Sequence, residues 1–398
     1  MRITQSMEQT QFLSQLDALE SNISITQNQI SSGLAFTSPA QDPAAAGQVD
    51  DYNQVLAQSQ QYTANANAAQ TGLNTEDTAL SQVTSQLQSL RDLALEAGSG
   101  TESTQNLGAI ATQAQQIQQS LLSLANTQDG NGNYIFAGFA TQTQPFSLTA
   151  TGAAYAGDQG QLQVQIAAGQ TVASADNGDT VFNQIKTGNG TFTVAANAAN
   201  TGSGVIGAST VTDPASYTAG DYSIDFTAAD SYQVLNSQNV AVTSGTYTPG
   251  QAISFNGVQV TLAGQPASGD SFAVAPSTDQ GLFTTVQNLV TAIQAGVSGP
   301  ASQTQLTNAI AGSVNSLDQA LNQVSTVQAS VGGRLDAITT QLSVGSSQQT
   351  QLQESISNLQ SLNYASAVTS LESQNTTLSA AMQAFSLTQG LSLFKYIS

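Results

Sequence analysis

The sequence predicts an α+β fold: a long antiparallel coiled-coil-like helical bundle built from both termini, with a β-rich domain inserted in the middle. Two observations predict it. Apolar residues recur every three to four positions over long stretches on both sides of the chain, the period of a helix with one buried stripe. Between those stretches, over about residues 141–278, the composition turns to Gly, Thr and Val in short alternating runs, the period of half-buried strands. Helices precede and follow this segment, so the two helical arms must leave and re-enter one end of the bundle.

At the front, Ile3, Met7, Leu16, Leu19, Ile23 and Ile30 mark a single amphipathic helix, and Val368, Leu371, Leu378, Met382 and Phe385 mark another at the back. From Tyr52 through Leu73, Leu80 and Leu87 to Ala97 a seven-residue pattern holds on its two seam positions except at Ser59 and Glu76. A second run from Leu107 to Leu124 keeps the register, after the turn "EAGSGTES". A short helix is expected around Leu282 to Ile293, and the longest seam of all runs from Ile310 to Leu359. Gly332 and Gly333 lie off that seam and cost ~1 kcal/mol each in propensity, which packing can offset.

In the insert, "YSIDF", "AISFNGVQVTLAG" and "DSFAVAP" predict strands, and Asn256-Gly257 between two such runs predicts a hairpin turn. Gly188-Asn189-Gly190 lacks the Lys and strand-helix setting of a phosphate loop and also predicts a hairpin turn. These limits divide the chain into terminal helices with their linkers (1–45 and 361–398), a helical bundle (46–140 and 279–360) and the insert (141–278). The linkers are "SSGLAFTSPAQDPAAAG" at the front, with Gly33, Asp42, Pro43 and Gly47, and "SLNYASA" at the back, where Leu359 and Leu371 cannot share one heptad frame.

Composition excludes several functions. Five basic residues face 25 acidic ones for a net charge of -20, and the five are scattered singly, so no phosphate backbone is matched and nucleic acid is not a partner. Only 8% of residues are charged, yet no apolar run reaches the roughly 18 to 20 residues that insertion into a bilayer needs. A surface of uncharged Gln, Ser, Thr and Asn suits faces that are buried against other subunits. Without Cys or His the chain has no disulfide, no thiolate and no imidazole base or ligand. The opening "MRITQSMEQTQFLSQLDALESN" has no apolar core or cleavage site of a secretory signal, so the chain is expected to be cytosolic or exported by another route.

No catalytic, cofactor-binding or metal-binding set emerges. Asp129, Asn131 and Asn133 imitate the start of a calcium loop but lack the distant bidentate Glu, and a turn is expected there. Asp50-Asp51 and Asp176-Asn177-Gly178-Asp179 are expected to be solvated carboxylates. The abundant serines have no His to activate them, and the chain is not expected to be an enzyme.

Several segments resemble the flagellin superfamily, and within it the hook-associated protein 3 group. "MRIT" opens the chain as in that group, and "ITQNQISSGLAFTSPAQDPAAAG" is similar to the family's helix end, turn and linker, carried by Gly33, Asp42, Pro43, Ala44 and Gly47. "GNYIFAG" is similar to the Gly-x-Tyr-x-Phe-x-Gly signature of hook-filament junction proteins, carried by Gly132, Tyr134, Phe136 and Gly138. "GGRLDAITTQL" resembles the long terminal helix, "SLNYASAVTSLESQ" the spoke with Tyr364, and "SLFKYIS" the closing segment. The family often carries acidic residues around that tyrosine, where this chain has Asn363 and Ser366.

The resemblance implies a structural subunit of the bacterial flagellum. Its members would be exported unfolded through the flagellar type III channel with a chaperone and without a cleaved signal peptide. They would then self-associate in an extracellular ring between hook-associated protein 1 and flagellin. The alternatives are a flagellin filament subunit, or a secreted adhesin or enzyme with its activity in the insert.

Two further expectations follow. Tyr134, Phe136 and Phe139 are expected to alternate as a strand that caps the open end of the bundle, giving the insert a rigid base. The two lone terminal helices are expected to need partners, each other and their counterparts in neighbouring molecules. A buried Leu or Ile contributes roughly 1.5 to 3 kcal/mol, whereas each ordered residue costs roughly 1 to 2 kcal/mol. In a free monomer both ends are therefore expected to be disordered.

Overall fold

A computed structural model describes residues 5–298 and 303–394. Helices α1 (Gln5–Ser32), α2 (Pro43–Gly98) and α3 (Thr104–Ala125) come first. The strands β1 (Phe146–Thr149), β2 (Gly152–Tyr155), β3 (Gln163–Ala167) and β4 (Gln170–Ala173) follow, and then the short helix α4 (Gly178–Phe182). Next come β5 (Ile185–Lys186), β6 (Phe192–Ala196), β7 (Val205–Val211), β8 (Tyr222–Ala228) and β9 (Ser231–Asn236). The remaining strands are β10 (Ala241–Thr246), β11 (Ala252–Phe255), β12 (Val258–Ala263), β13 (Ser271–Pro276) and β14 (Asp279–Gln280). The chain closes with α5 (Leu282–Ser298), α6 (Gln303–Gln360) and α7 (Tyr364–Phe394). The α+β class with helices at both ends and a β-rich centre is the architecture the periodicities predict.

Contacts divide the chain into two compact units, residues 1–64 with 341–398 and residues 65–340. In the second unit Leu73, Leu80, Val83, Leu87 and Leu90 of the α2 seam and Leu317, Val324, Val331 and Ile338 of the α6 seam are fully buried, whereas Leu321 and Leu335 are half-buried and Ala320 is buried beside Leu321. Helix α3 starts where Ser103 caps it, its side chain accepting from the Asn106 N–H at 3.2 Å, and packs on α5 through Leu107, Ile110, Ala114 and Leu121.

Five strands form an antiparallel sheet in the order β10-β9-β8-β13-β6, and β11-β12-β7 form a second, three-stranded one. Their side chains share one core, in which Ile224, Val234, Val260, Leu262 and Phe272 are fully buried. Asn256 and Gly257 take φ of +43° and +77° between β11 and β12, the left-handed pair that a two-residue hairpin turn demands. The expected hairpin at Gly188-Asn189-Gly190 is a turn of another kind. Flanking β5 pairs with β14 and β6 with β13, so the turn passes the chain from one sheet to another.

The two faults in the α2 seam are both buried. Ser59 accepts the Gln349 side-chain amide at 3.2 Å, within the first unit. Glu76, within the second, is 0% exposed.

Candidate assembly interface

In the first unit α1 and α7 pack together, and the pairs they make run antiparallel: Phe12 with Phe385, and Thr26 with Gln374. The seam positions of α1 are Phe12, Leu16, Leu19, Ile23, Thr26 and Ile30, alternating steps of four and three; Ile25 and Gln29, off the seam, are half-buried as well. Those of α7 are Ala367, Leu371, Gln374, Leu378, Ala381 and Phe385, again a heptad seam. Ile23, Thr26 and Ala367 are buried and the other nine are half-buried. The Thr26 hydroxyl donates to the Asn22 carbonyl at 2.9 Å and to Gln374 Oε1 at 3.2 Å, so the polar members of the seam satisfy each other.

Of the residues that the sequence marks for assembly, Leu16, Leu19, Ile23, Ile30, Leu371, Leu378 and Phe385 lie on this seam. Met7, Val368 and Met382 do not, and are 62%, 44% and 48% exposed. Val368 and Met382 each follow a seam position by one residue, about 100° further round the helix. Leu13 stands in the same relation to Phe12 and is also exposed. Ile3 lies outside the described residues, as do the rest of "MRIT" and Lys395 to Ser398. Phe12 escaped the sequence reading, although its spacing of four and seven from Leu16 and Leu19 carries the signal.

The two connecting segments bond to each other. Leu34 and Ser361 form an antiparallel bridge, Ala35 N–H donates to the Gln360 carbonyl at 2.7 Å, and Leu362 N–H donates to the Gly33 carbonyl at 2.9 Å. Gly33 ends α1 with its N–H on the Gln29 carbonyl at 2.8 Å and a φ of +73°, the left-handed cap that suits glycine. Asp42 caps α2, accepting the Ala45 N–H at 3.0 Å, and Pro43 occupies its first turn, where the missing N–H is harmless. Gly47 lies inside α2 and faces open space. The back linker is shorter than "SLNYASA", because α7 begins at Tyr364: Asn363 caps it, accepting the Ser366 N–H at 3.2 Å. A neutral amide thus does at Asn363 what an acidic side chain would do at a helix start.

In the second unit, "GNYIFAG" is a series of turns and not the expected strand. Gly132 and Gly138 take φ of +83° and +68°, and the consecutive residues Ile135, Phe136 and Ala137 are all buried, which no alternating strand permits. Tyr134 is half-buried and Phe139 is exposed. Asp129 binds the turn together, accepting the N–H groups of Asn131 and Asn133 at 2.8 and 2.9 Å, which hold its carboxyl below the usual range against the effect of burial.

Phe136 nonetheless sits at a junction of elements. Its ring meets Phe182 of α4 edge-on at 5.1 Å, Phe182 meets Phe146 of β1 at 5.4 Å, and Phe146 meets Phe283 of α5 at 5.5 Å. Its carbonyl accepts the Gly178 N–H at 2.8 Å and the Tyr155 hydroxyl at 3.1 Å. Burial pushes that phenol up to about 12. A Cβ at Gly138 would run into the carboxylate and carbonyl of Asp158. Asn126, at the end of α3, exchanges two 2.9 Å bonds with the Phe146 backbone and ties the first strand to the helix.

The basic residues of this unit are each paired with a carboxylate. Arg91 pairs with Asp318 at 2.6 Å, Lys186 with Asp279 at 2.8 Å, and Arg334 with Asp176. Asp176 is therefore not the solvated carboxylate that the sequence suggests, and Asn177 caps α4, accepting the Thr180 N–H at 2.9 Å. Among the described residues no helix is long and apolar enough to cross a membrane.

Residues 3–141 match the family model described as the bacterial flagellin N-terminal helical region. Residues 195–276 match one described as the flagellar hook-associated protein 1, D2-like domain. Flagellar hook-associated protein 3 of Salmonella typhimurium is 35% identical over 185 residues, which cover 46% of this chain and 58% of that protein, so the match spans little more than half of the curated relative. The crystal structure of Xanthomonas campestris FlgL is 32% identical with a TM-score of 0.72, covering 77% of this chain and 99% of that one. That of the flagellar junction protein FlgL from Legionella pneumophila is 27% identical, again with a TM-score of 0.72, covering 79% and 100%.

Proposed function

We propose that this chain, which belongs to the hook-associated protein 3 family of the flagellin superfamily, is the structural subunit that joins the flagellar hook to the flagellin filament. The proposed residues of assembly are those of α1 and α7. Their shared seam holds the two ends of one chain together, and the exposed apolar residues Leu13, Val368 and Met382, each one position past that seam, pack against the same helices of neighbouring copies. Residues 1–45 and 361–398 then form the assembling part, 46–140 and 279–360 its helical support, and 141–278 an appended domain. A ring of such subunits would contact hook-associated protein 1 on one side and flagellin on the other. An export chaperone would cover the terminal helices until the chain leaves the cell, with no cleaved signal peptide.

The observation that supports this most directly is the exposure of Val368 and Met382, 44% and 48%, beside a seam that is already covered. They lie fourteen residues apart, two heptads, and so share one side of α7. Family members are structural components, and nothing in the chemistry of the site calls for catalysis.

The test is genetic. Deleting the gene should leave hooks built and flagellin shed into the medium, and the wild-type chain should restore filaments. A Val368→Asp, Met382→Asp double variant should be secreted and fail to restore them. Full restoration by that variant, or filaments in the deletion strain, would reject the proposal. The match of residues 3–141 to the flagellin N-terminal region favours a second reading, a filament subunit. Growth of the purified protein into long homopolymers would support it.

A further inference from the structure

Glu76 is the one acidic residue on the α2 seam, and it is 0% exposed. What covers it is the segment leading into α4. The Asp176 N–H donates to both Glu76 oxygens, at 3.1 and 3.3 Å. One helical turn earlier, Gly72 lets the chain lie against α2: a Cβ there would stand 3.1 Å from the Ser174 carbonyl.

Helix α6 holds the same segment from its own side. Arg334 pairs with the Asp176 carboxylate and donates to the Ala173 carbonyl at 3.4 Å, its remaining bonds going to Ser330 of its own helix. The Gln161 side-chain amide donates to the other oxygen of Asp176.

Two carboxyl groups thus share one guanidinium, and the guanidinium bonds to Asp176. Side-chain exposures of 14% for Arg334 and 9% for Asp176 leave little water to screen a second negative charge. An ionised Glu76 would sit beside Asp176 with one N–H as its direct partner, which favours keeping a proton on Glu76.

We propose that Glu76, Asp176 and Arg334 form a proton-dependent latch that fastens residues 173–177 to α2 and α6, closed while Glu76 holds its proton and loosened when it gives the proton up. Burial first, and then the Asp176 charge, raise the Glu76 carboxyl from 4.5 to about 8, although Arg334 and the Asp176 N–H act the other way. The charged groups facing Glu76 are Asp176 from the loop and Arg334 from α6; Asp179 of α4 is occupied by the side-chain amides of Gln159, Asn183 and Gln184. The folded state binds this proton more tightly than the unfolded one. Its contribution is therefore complete below about 4.5, declines as pH rises, and is lost above about 8.

The experiment is hydrogen exchange on the full chain from pH 6 to 9.5, corrected for intrinsic rates, comparing peptides over residues 170–180 with peptides over 104–125. In the wild type, protection of 170–180 should fall by up to about tenfold per pH unit from pH 6 to about 8 and level off above that, while 104–125 holds steady. Glu76→Gln, which keeps the size and mimics the protonated acid, should abolish that fall and retain the protection seen at pH 6. Carbon-13 NMR of the wild-type Glu76 carboxyl, which needs no variant to fold, should place its titration near 8. A flat wild-type profile, an unchanged profile in Glu76→Gln, or a carboxyl that titrates near 4.5 would overturn the latch.

Discussion

The ring of Phe12 lies flat on that of Phe385, centroids 4.8 Å apart and planes within 4°, so residues near the two ends of the chain are in direct contact. Stacked aromatic pairs contribute about 0.5 to 1.5 kcal/mol beyond their area. A double-mutant cycle of Phe12→Ala and Phe385→Ala, read by exchange of α1 amides, should return a coupling energy in that range. Strict additivity would mean that the contact contributes nothing.

Gly33 holds a left-handed backbone with the Tyr364 phenol directly beside it, where a Cβ would come 2.9 Å from the oxygen. An L-residue in that conformation costs roughly 1 to 2 kcal/mol, less for Asn. Gly33→Ala should speed exchange of the Leu362 amide, whose acceptor is the Gly33 carbonyl, by about five- to thirtyfold, and Gly33→Asn by less. Equal protection in all three proteins would dismiss the strain.

Phe136 and Phe139 stand three residues apart and are 0% and 63% exposed. Phe136→Ala should destabilise the unit of residues 65–340 by about 3 to 5 kcal/mol in denaturant titrations, since it removes a fully buried ring packed on Phe182. Phe139→Ala should stay within about 0.5 kcal/mol of wild type. Similar losses at both sites would contradict the burial described.

The dilute monomer should exchange the amides of α1 and α7 faster than those of α3, because among the predicted terminal residues that are described Ile23 is buried and the others are half-buried or exposed. Equal protection throughout would show that the terminal pair needs no further partner.

Long seams were legible in the sequence because each leucine in them repeats the same message. The turn at Asn256-Gly257 was legible because its two residues suit positive φ. At the terminal helices, bulk misled: Val368 and Met382 are larger than their neighbours Ala367 and Ala381, yet the alanines occupy the seam. Gln374 and Thr26 sit there too, satisfied by a partner nearly 350 residues away, which no local pattern reveals. The strand expected at Tyr134 to Phe139 failed because Gly132 turns the backbone just before it and Gly138 turns it again within it. Glu76 was visible as a fault in the heptad, but Asp176 and Arg334, which explain it, come from two distant segments.

Since Phe12 meets a residue made roughly 370 positions later, a ribosome adding about 5 to 20 residues per second leaves the first greasy stripe uncovered for some 20 to 75 s. During that interval the newborn chain is open to sticking to itself or to other chains. A helper protein that recognises the stripe therefore finds it open while translation is still under way.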